Sequence, residues 1–432
     1  MRDIAFMFFL PFLLHAAFRK PFIAVSIMAW SSLFVLVDWL YGFAALLIRY
    51  NLTFALIAIL MCIRFKDQLK FQANTTVIII ALFFFHVFIS SQLAVAPEFL
   101  VEKDWSNFWK AILLFFMITL VLNKKNHFLF FTFLLTISIG ATGVIEALKW
   151  VNSGFFHQAK GPGGHILSDN NHFAIALCTI LPLANFAREQ FKNKWVKRGM
   201  LVAMLLIVFA ILSTQSRGGV ITLFFISLYF WWKSTYKLKL IPVYGVVLLL
   251  VFKLMGQSWM DRMNTVKTAD QDSSFTTRVA AWKINHQVAL QNPFFGLGFK
   301  GPQLGEYWNY YAQFIDKDSI ISINAVPTKA YAAHSIYFQV LGEQGLVGFV
   351  LYVGLFVSAF VTLSNIRRSL TKHKEYWQFK LASMLQVSLF AFAFGGLTIS
   401  IAYIDLVFII LALPVALSKQ LKILKAKSAS PC

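Results

Sequence analysis

His334 opens the run "AAHSIYFQVLGEQGLVG", residues 332–348, at the mouth of a long apolar stretch. An imidazole, with an ordinary pKa of about 6.5, can act as a general base near neutral pH. Gly345 lies close to three helical turns further on, at about 3.6 residues per turn, and Gly348 one turn beyond it. This spacing predicts that His334, Leu341, Gly345, Gly348 and Tyr352 share one helix face, where small residues would let a neighbouring helix approach. Two readings stand side by side: a packing stripe topped by a histidine, or a base at the mouth of a bundle.

Three further clusters carry polar chemistry. In "STQSRGGVITLF" (213–224), Arg217 precedes two glycines at the start of an apolar run. A snorkelling arginine in a turn explains this; so does an anion site, because the planar guanidinium fork suits phosphate and the glycines permit close approach. Arg278, with Trp282 one turn away and Lys283 beside it, is either the charged face of an exposed helix or a second cation. A diphosphate would need more than one such contact. In "GPGGHILSDNNHFAIALCTILPL" (161–183), Asp169 reads as a helix N-cap, whereas Asn171 and His172 could touch a headgroup or sugar.

Other chemistries lack their residues. There is no phosphate-binding Walker loop, no dinucleotide G-x-G-x-x-G after a strand, no HExxH and no cysteine-rich metal spacing. The acidic residues Glu98, Glu102 and Asp104 form no paired-carboxylate motif. The reading is a metal-independent reaction without cofactor. The three cysteines, Cys62, Cys178 and Cys432, outline no disulfide framework.

The elements that must position these groups are apolar. Of 432 residues 59% are hydrophobic and 13% charged, against about 25% charged in a soluble domain. Runs of membrane-spanning length recur along the chain, which predicts an all-α polytopic membrane protein. The expected spans are 3–18, 21–46, 52–64, 75–95, 107–123, 127–150, 172–187, 199–214, 219–233, 239–256, 334–363, 380–398 and 400–418, a total of 12 or 13. Residues 3–18 read as a retained anchor rather than a cleaved signal.

The net charge of +21 is not a nucleic-acid signature. Its basic residues collect in alternate short loops, including 64–72, 124–126, 188–198, 233–239 and 365–379, the positive-inside pattern. With those loops in the cytoplasm, 95–105, 157–172 and 257–333 lie outside. The expected organisation is an N-terminal bundle (1–256), one large periplasmic loop (257–333), C-terminal spans (334–418) and a basic cytoplasmic tail (419–432). Within the loop, "SSFTTRVAAWKINHQVALQNPFFGLGFKG" (273–301) predicts a helix over about 276–291, stopped by the Pro-Phe-Phe-Gly-Leu-Gly turn. No separate globular domain is expected there.

His334-Ser335 followed after nine residues by Gly345-Leu346-Val347-Gly348, "SRGG" at a span boundary, the outer loop with Arg278 and Trp282 before "NPFFGLGF", and "DNNHFA" opening an earlier span together resemble the bacterial O-antigen ligase and polymerase superfamily. The resemblance covers roughly residues 140–420. It implies an inner-membrane enzyme that transfers a glycan from an undecaprenyl-diphosphate carrier to an acceptor hydroxyl at the periplasmic face. Carried onto this chain, it implies that His334 is the base and that Arg217 and Arg278 hold the diphosphate. Asn171, His172, Trp282 and Ser335 would contact glycan or headgroup, and Gly345 and Gly348 would serve helix packing. A single displacement would invert the anomeric carbon.

The first thirty residues also resemble O-glycosylation ligases associated with exosortase A systems, with "SSLFVLVDWLYGFA" standing where that group has an Asn-Pro-His-type stretch. The acceptor could be a lipid, a protein hydroxyl or a growing glycan, the last making the chain a polymerase. A transporter of lipid-linked oligosaccharide is the alternative from another class. It would be expected to show related halves and broken mid-membrane helices; no such symmetry is visible in the sequence.

Overall fold

The structure, a computed structural model, describes residues 2–40, 42–44, 48–238, 241–242, 245, 273–316, 326–373 and 376–429. The expected span 239–256 therefore lies almost entirely outside the described residues, as do parts of the large loop and the end of the basic tail. Every described regular element is helical. Fifteen α-helices are described: α1 Arg2–Ala17, α2 Pro21–Phe34, α3 Leu36–Trp39, α4 Tyr50–Arg64, α5 Thr75–Gln92, α6 Glu98–Val121, α7 Lys125–Asn152, α8 Asn170–Gln190, α9 Lys194–Ser213, α10 Arg217–Lys233, α11 Ser273–Gln291, α12 Gly305–Ala312, α13 Ile336–Ser369, α14 Trp377–Gly395 and α15 Asp405–Ala429.

Seven described helices or helix-containing segments are long and apolar enough to cross a membrane. They are α5, α6, α7, α9, α13, α14 with the turn after it, and α15. The protein is thus an all-α polytopic membrane protein, with fewer full-length crossings among the described residues than the 12 or 13 runs of apolar sequence. Part of the difference is length: α2 and α4 are shorter apolar helices, and α10 has 17 residues. The expected span 21–46 is not one helix, because Val35 is left-handed (φ 51°) and ends α2 at Phe34. α8 carries Asn170, Asn171, His172, Arg188 and Glu189, which dilute its hydropathy.

What α8 lacks in apolarity it gains in burial. It packs against α7, α9, α10 and α14, and its residues from Phe173 to Ala184 are all buried. α15 is the other central helix, set against α6, α13 and α14. One apolar cluster runs through both. Without a hydrophobic drive between helices inside a bilayer, such close contact rests on packing and interhelical hydrogen bonds.

The described part of the 257–333 segment has a small apolar cluster of its own. Val279, Ala280, Ile284 and Val288 of α11 pack with Leu297, Trp308, Tyr311 and Ile315 in a cluster separate from the main one. This small core is not free-standing, since α11 lies along α13, close enough that a side chain at Gly342 would strike the Asn285 amide.

α13 is also not one continuous helix. Gly345 sits at φ 68°, ψ −173°, a region essentially reserved for glycine. The turn after α11 occupies the gap: Leu297 N–H donates to Gly342 O (3.1 Å), Gly298 N–H to Glu343 O (2.9 Å) and Val347 N–H to Pro293 O (3.2 Å). The carbonyls freed by the break are satisfied from outside the helix, as buried backbone groups require.

Candidate functional site

Four chain segments bring their ends to one place. α8 begins there, capped by Asp169, whose side chain accepts from Asn171 N–H (2.8 Å) and His172 N–H (3.1 Å). The turn between α9 and α10 is tied to it: Asn170 Nδ2 donates to Thr214 O (2.8 Å), Gln158 Nε2 to the same oxygen (3.2 Å), and Ala159 N–H to Ser213 O (3.1 Å). Gln215 turns the chain with φ 57°. Ser216 then caps α10 by accepting from Gly219 N–H (3.2 Å), which makes Arg217 the first residue of that helix.

The two glycines after Arg217 are contact points. A side chain at Gly218 would strike Thr398, and one at Gly219 would meet Ala174 of α8 at 2.6 Å. Gly396, in the 3₁₀ turn that follows α14, is equally close to Ile336 at the start of α13. The N-terminal ends of α8, α10 and α13 and the C-terminal end of α14 thus converge. Half-buried Arg217, Asn171 and His172 are carried into that end of the bundle, with His334 just ahead of α13.

His334 precedes α13 rather than belonging to it, with left-handed backbone (φ 47°). For a residue other than glycine this is uncommon and strained. The carbonyl before it, that of Ala333, accepts from Trp282 Nε1 (2.8 Å), and the same indole stacks on Phe338 with centroids 5.3 Å apart and planes 9° from parallel. Trp282 therefore joins α11 to both sides of the His334 bend. Burial, the positive charge of Arg278, and His172 hold the His334 imidazole below its ordinary pKa, with Asp169 opposing them. The imidazole is thereby favoured in its neutral, proton-accepting form.

His172 is held in one tautomer. Its Nδ1 donates to Ile166 O (2.8 Å), so in the neutral ring Nε2 is the acceptor. Asn171 donates from Nδ2 to Asn170 Oδ1 (3.3 Å). Ser335 is buried, and its Oγ has no hydrogen-bond partner among the described residues.

The shared face expected for His334, Leu341, Gly345, Gly348 and Tyr352 does not exist. His334 lies outside the helix, and the break at Gly345 resets the phase between Leu341 and Tyr352. Gly345 accommodates the backbone of the 292–296 turn, with Pro293 O at 2.6 Å from where a side chain would begin. Gly348 faces His86 of α5 at 2.9 Å on the same measure. Both are away from the converging ends, so they act on the fold and not on a ligand there.

Residues outside the motifs also support this region. Lys300 Nζ pairs with Asp104 Oδ2 (3.3 Å), and its backbone N–H donates to Glu343 Oε1 (3.2 Å). Burial works against the Lys300 ammonium, but the charges of Glu343 and Asp104 prevail and raise its pKa. Three residues this far apart in sequence leave no spacing signal. Asp169, read as a cap, caps and also faces His334 electrostatically. Among the described residues, no group of three or more His, Cys, Asp or Glu side chains could hold a metal ion.

Residues 202–353 match the family model described as O-antigen ligase. This segment contains Arg217, Arg278, Trp282 and His334. Residues 1–189 match a family of unknown function, DUF5935. No curated protein matches the chain.

Proposed function

Since the chain belongs to the O-antigen ligase and polymerase superfamily, we propose that it transfers a glycan from an undecaprenyl-diphosphate carrier to an acceptor hydroxyl at the periplasmic face of the inner membrane. The observation that carries this reading is the convergence of the starts of α8, α10 and α13, which brings Asn171, His172 and Arg217 to the end of the bundle where His334 stands.

In this reading the acceptor hydroxyl gives its proton to the neutral imidazole of His334 as its oxygen attacks the anomeric carbon. The bond from that carbon to the diphosphate oxygen breaks, and the electron pair leaves with the diphosphate. Arg278, and Arg217 at the start of α10, stabilise the charge that develops there. Cations already in position within a poorly hydrated cleft stabilise such charge without reorganising. A diphosphate leaves readily, so no general acid is required, and one displacement inverts the anomeric centre. Trp282 acts by holding the His334 bend, while His172 Nε2 and Asn171 line the space where a sugar or headgroup would lie.

The deciding experiment measures transfer in membranes of a deletion strain complemented with wild type, His334→Ala or Arg217→Ala at matched expression. Accumulation of lipid-linked glycan with loss of glycosylated product in both variants supports the reading. Normal transfer by His334→Ala removes the base from it. A wild type that changes which leaflet holds the lipid-linked glycan, without any transfer, replaces it with a transporter.

A further inference from the structure

At the end of α13 far from His334, Arg367 and Arg368 line an open cavity of about 380 Å³ with Ser364, Thr371 and Phe379. We propose that this cavity binds a phosphate group, presented either by an anionic phospholipid headgroup or by a soluble phosphate compound.

Its side chains are arranged in advance of a ligand. Gln386 of α14 accepts from Arg367 Nη1 and donates to Ser364 Oγ (2.8 Å). Arg367 also lies over the Phe379 ring, 5.6 Å from its centroid. The guanidinium is thus fixed on two sides, yet its buried Nε has no acceptor among the described residues. A buried donor left unpaired is costly, a cost that an oxyanion in the cavity would offset. Ser364, having accepted from Gln386, keeps its own proton to donate. The Thr371 hydroxyl is turned to the Arg367 and Arg368 carbonyls (3.1 and 2.9 Å) and forms wall.

Neither arginine forms an ion pair with a carboxylate among the described residues. Glu189, at the same end of the bundle, is paired with Lys380 (3.6 Å). Two guanidinium forks and a free hydroxyl proton match the oxygens of a phosphate. Basic residues that only mark a cytoplasmic loop would need neither a cavity nor a clamped guanidinium.

Position favours the lipid as the source. Beyond the break at Gly345, α13 runs unbroken over residues 346–369, about 36 Å at 1.5 Å per residue, against a hydrocarbon core of about 30 Å. Its two ends therefore reach opposite interfaces, and basic pockets between helices at an interface suit acidic headgroups.

The test uses the full-length protein in detergent with dihexanoyl phosphatidylglycerol, dihexanoyl phosphatidylcholine and inorganic phosphate, with binding read by native mass spectrometry. Wild type is expected to hold phosphatidylglycerol at least about tenfold tighter than phosphatidylcholine. Exposed Arg368 is the residue to change: Arg368→Gln should reduce that preference to within about twofold, and Arg368→Lys should restore little of it, because an ammonium lacks the fork. Ser364→Ala, which leaves both arginines in place, should weaken binding about threefold. Displacement of the lipid by inorganic phosphate at equal concentration supports a soluble phosphate as the source; retention of the lipid under phosphate supports a headgroup. Equal binding of both lipids with no effect of phosphate overturns the proposal, as does wild-type preference in Arg368→Gln and Ser364→Ala.

Discussion

The indole Nε1 of Trp282 donates a 2.8 Å hydrogen bond to the carbonyl of Ala333, the residue immediately before His334. A side chain on the loop helix thus ties down the backbone next to the proposed base, and Trp282 is proposed as a positioning residue. Trp282→Phe keeps an aromatic ring against Phe338 but removes the donor. The expected result is a kcat lower by about tenfold with donor KM little changed, since a small misplacement of reacting groups is felt mainly in the chemical step. An unchanged kcat, or a rise in KM alone, would remove Trp282 from this role.

With His334 as the proposed base, its titration is expected to set the pH dependence of transfer. General-base catalysis contributes about 10²–10⁴-fold, and His334→Ala should lose transfer by at least the lower figure. Because Arg278 and burial depress the His334 pKa, the neutral base persists below the ordinary histidine value and the acid limb of the rate profile lies under about pH 6.5. Arg278→Gln removes a positive charge, makes the imidazolium easier to form and moves that limb to higher pH. A profile measured on transfer that keeps its midpoint in Arg278→Gln would show that the two groups do not interact.

His165 supplies a stability test apart from catalysis. Burial lowers its pKa from the ordinary 6.5 to about 4. The unfolded chain therefore binds the proton first as pH falls, so the loop around 161–168 is most stable above about pH 6.5 and loses stability from there down to about pH 4. Hydrogen exchange in this loop should rise between pH 7 and pH 5 more than the intrinsic rate predicts. His165→Gln should abolish the excess; an excess that persists places its cause elsewhere.

Gly345→Ala and Gly354→Ala separate a required glycine from a tolerated one. At Gly345 the backbone is φ 68°, ψ −173°, and a side chain would begin 2.6 Å from Pro293 O. Strain of this kind costs about 1–3 kcal/mol before the clash is added. At Gly354 nothing lies nearer than Ile79 Cδ1 at 3.7 Å, and alanine is the better helix former by about 1 kcal/mol. Thermal melting followed by size-exclusion chromatography should show a large loss for the first and none for the second. Equal melting temperatures would deny the break.

Part of the candidate site is legible in the sequence because Asn171, His172, Arg217 and His334 stand at helix boundaries with local signals, whereas Arg278 and Trp282 lie inside α11. Asp169 before Asn170 and the Pro-Phe-Phe-Gly-Leu-Gly turn after Gln291 announce a cap and a stop, and Arg217-Gly218-Gly219 marks the start of an apolar run. The helical class is legible from the apolar runs. What is not legible depends on tertiary contact. Counting turns from His334 to Gly345 assumes an unbroken helix, and only the seating of the 293–298 turn against Gly342, Glu343 and Val347 shows why it is broken. The left-handed Val35 that divides 21–46 is likewise unmarked by residue type. Asp104, Lys300 and Glu343 meet only through the fold.

The hydrogen bonds from Leu297 and Gly298 to Gly342 and Glu343 also act as a rotational index for the site. They pin the α13 backbone just below Ile336–Leu341, so the number of residues between that pin and Ser335 sets the compass bearing of His334. One residue inserted or deleted in that interval would swing the imidazole by about 100° around the helix axis, at 3.6 residues per turn, away from Arg278 and the start of α8. Length between His334 and Gly342 is therefore a constraint in addition to the side-chain contacts of Ile336 and Phe338. Among the described residues at Ile336–Leu341, apolar exchanges that keep the count are expected to leave the bearing of His334 unchanged.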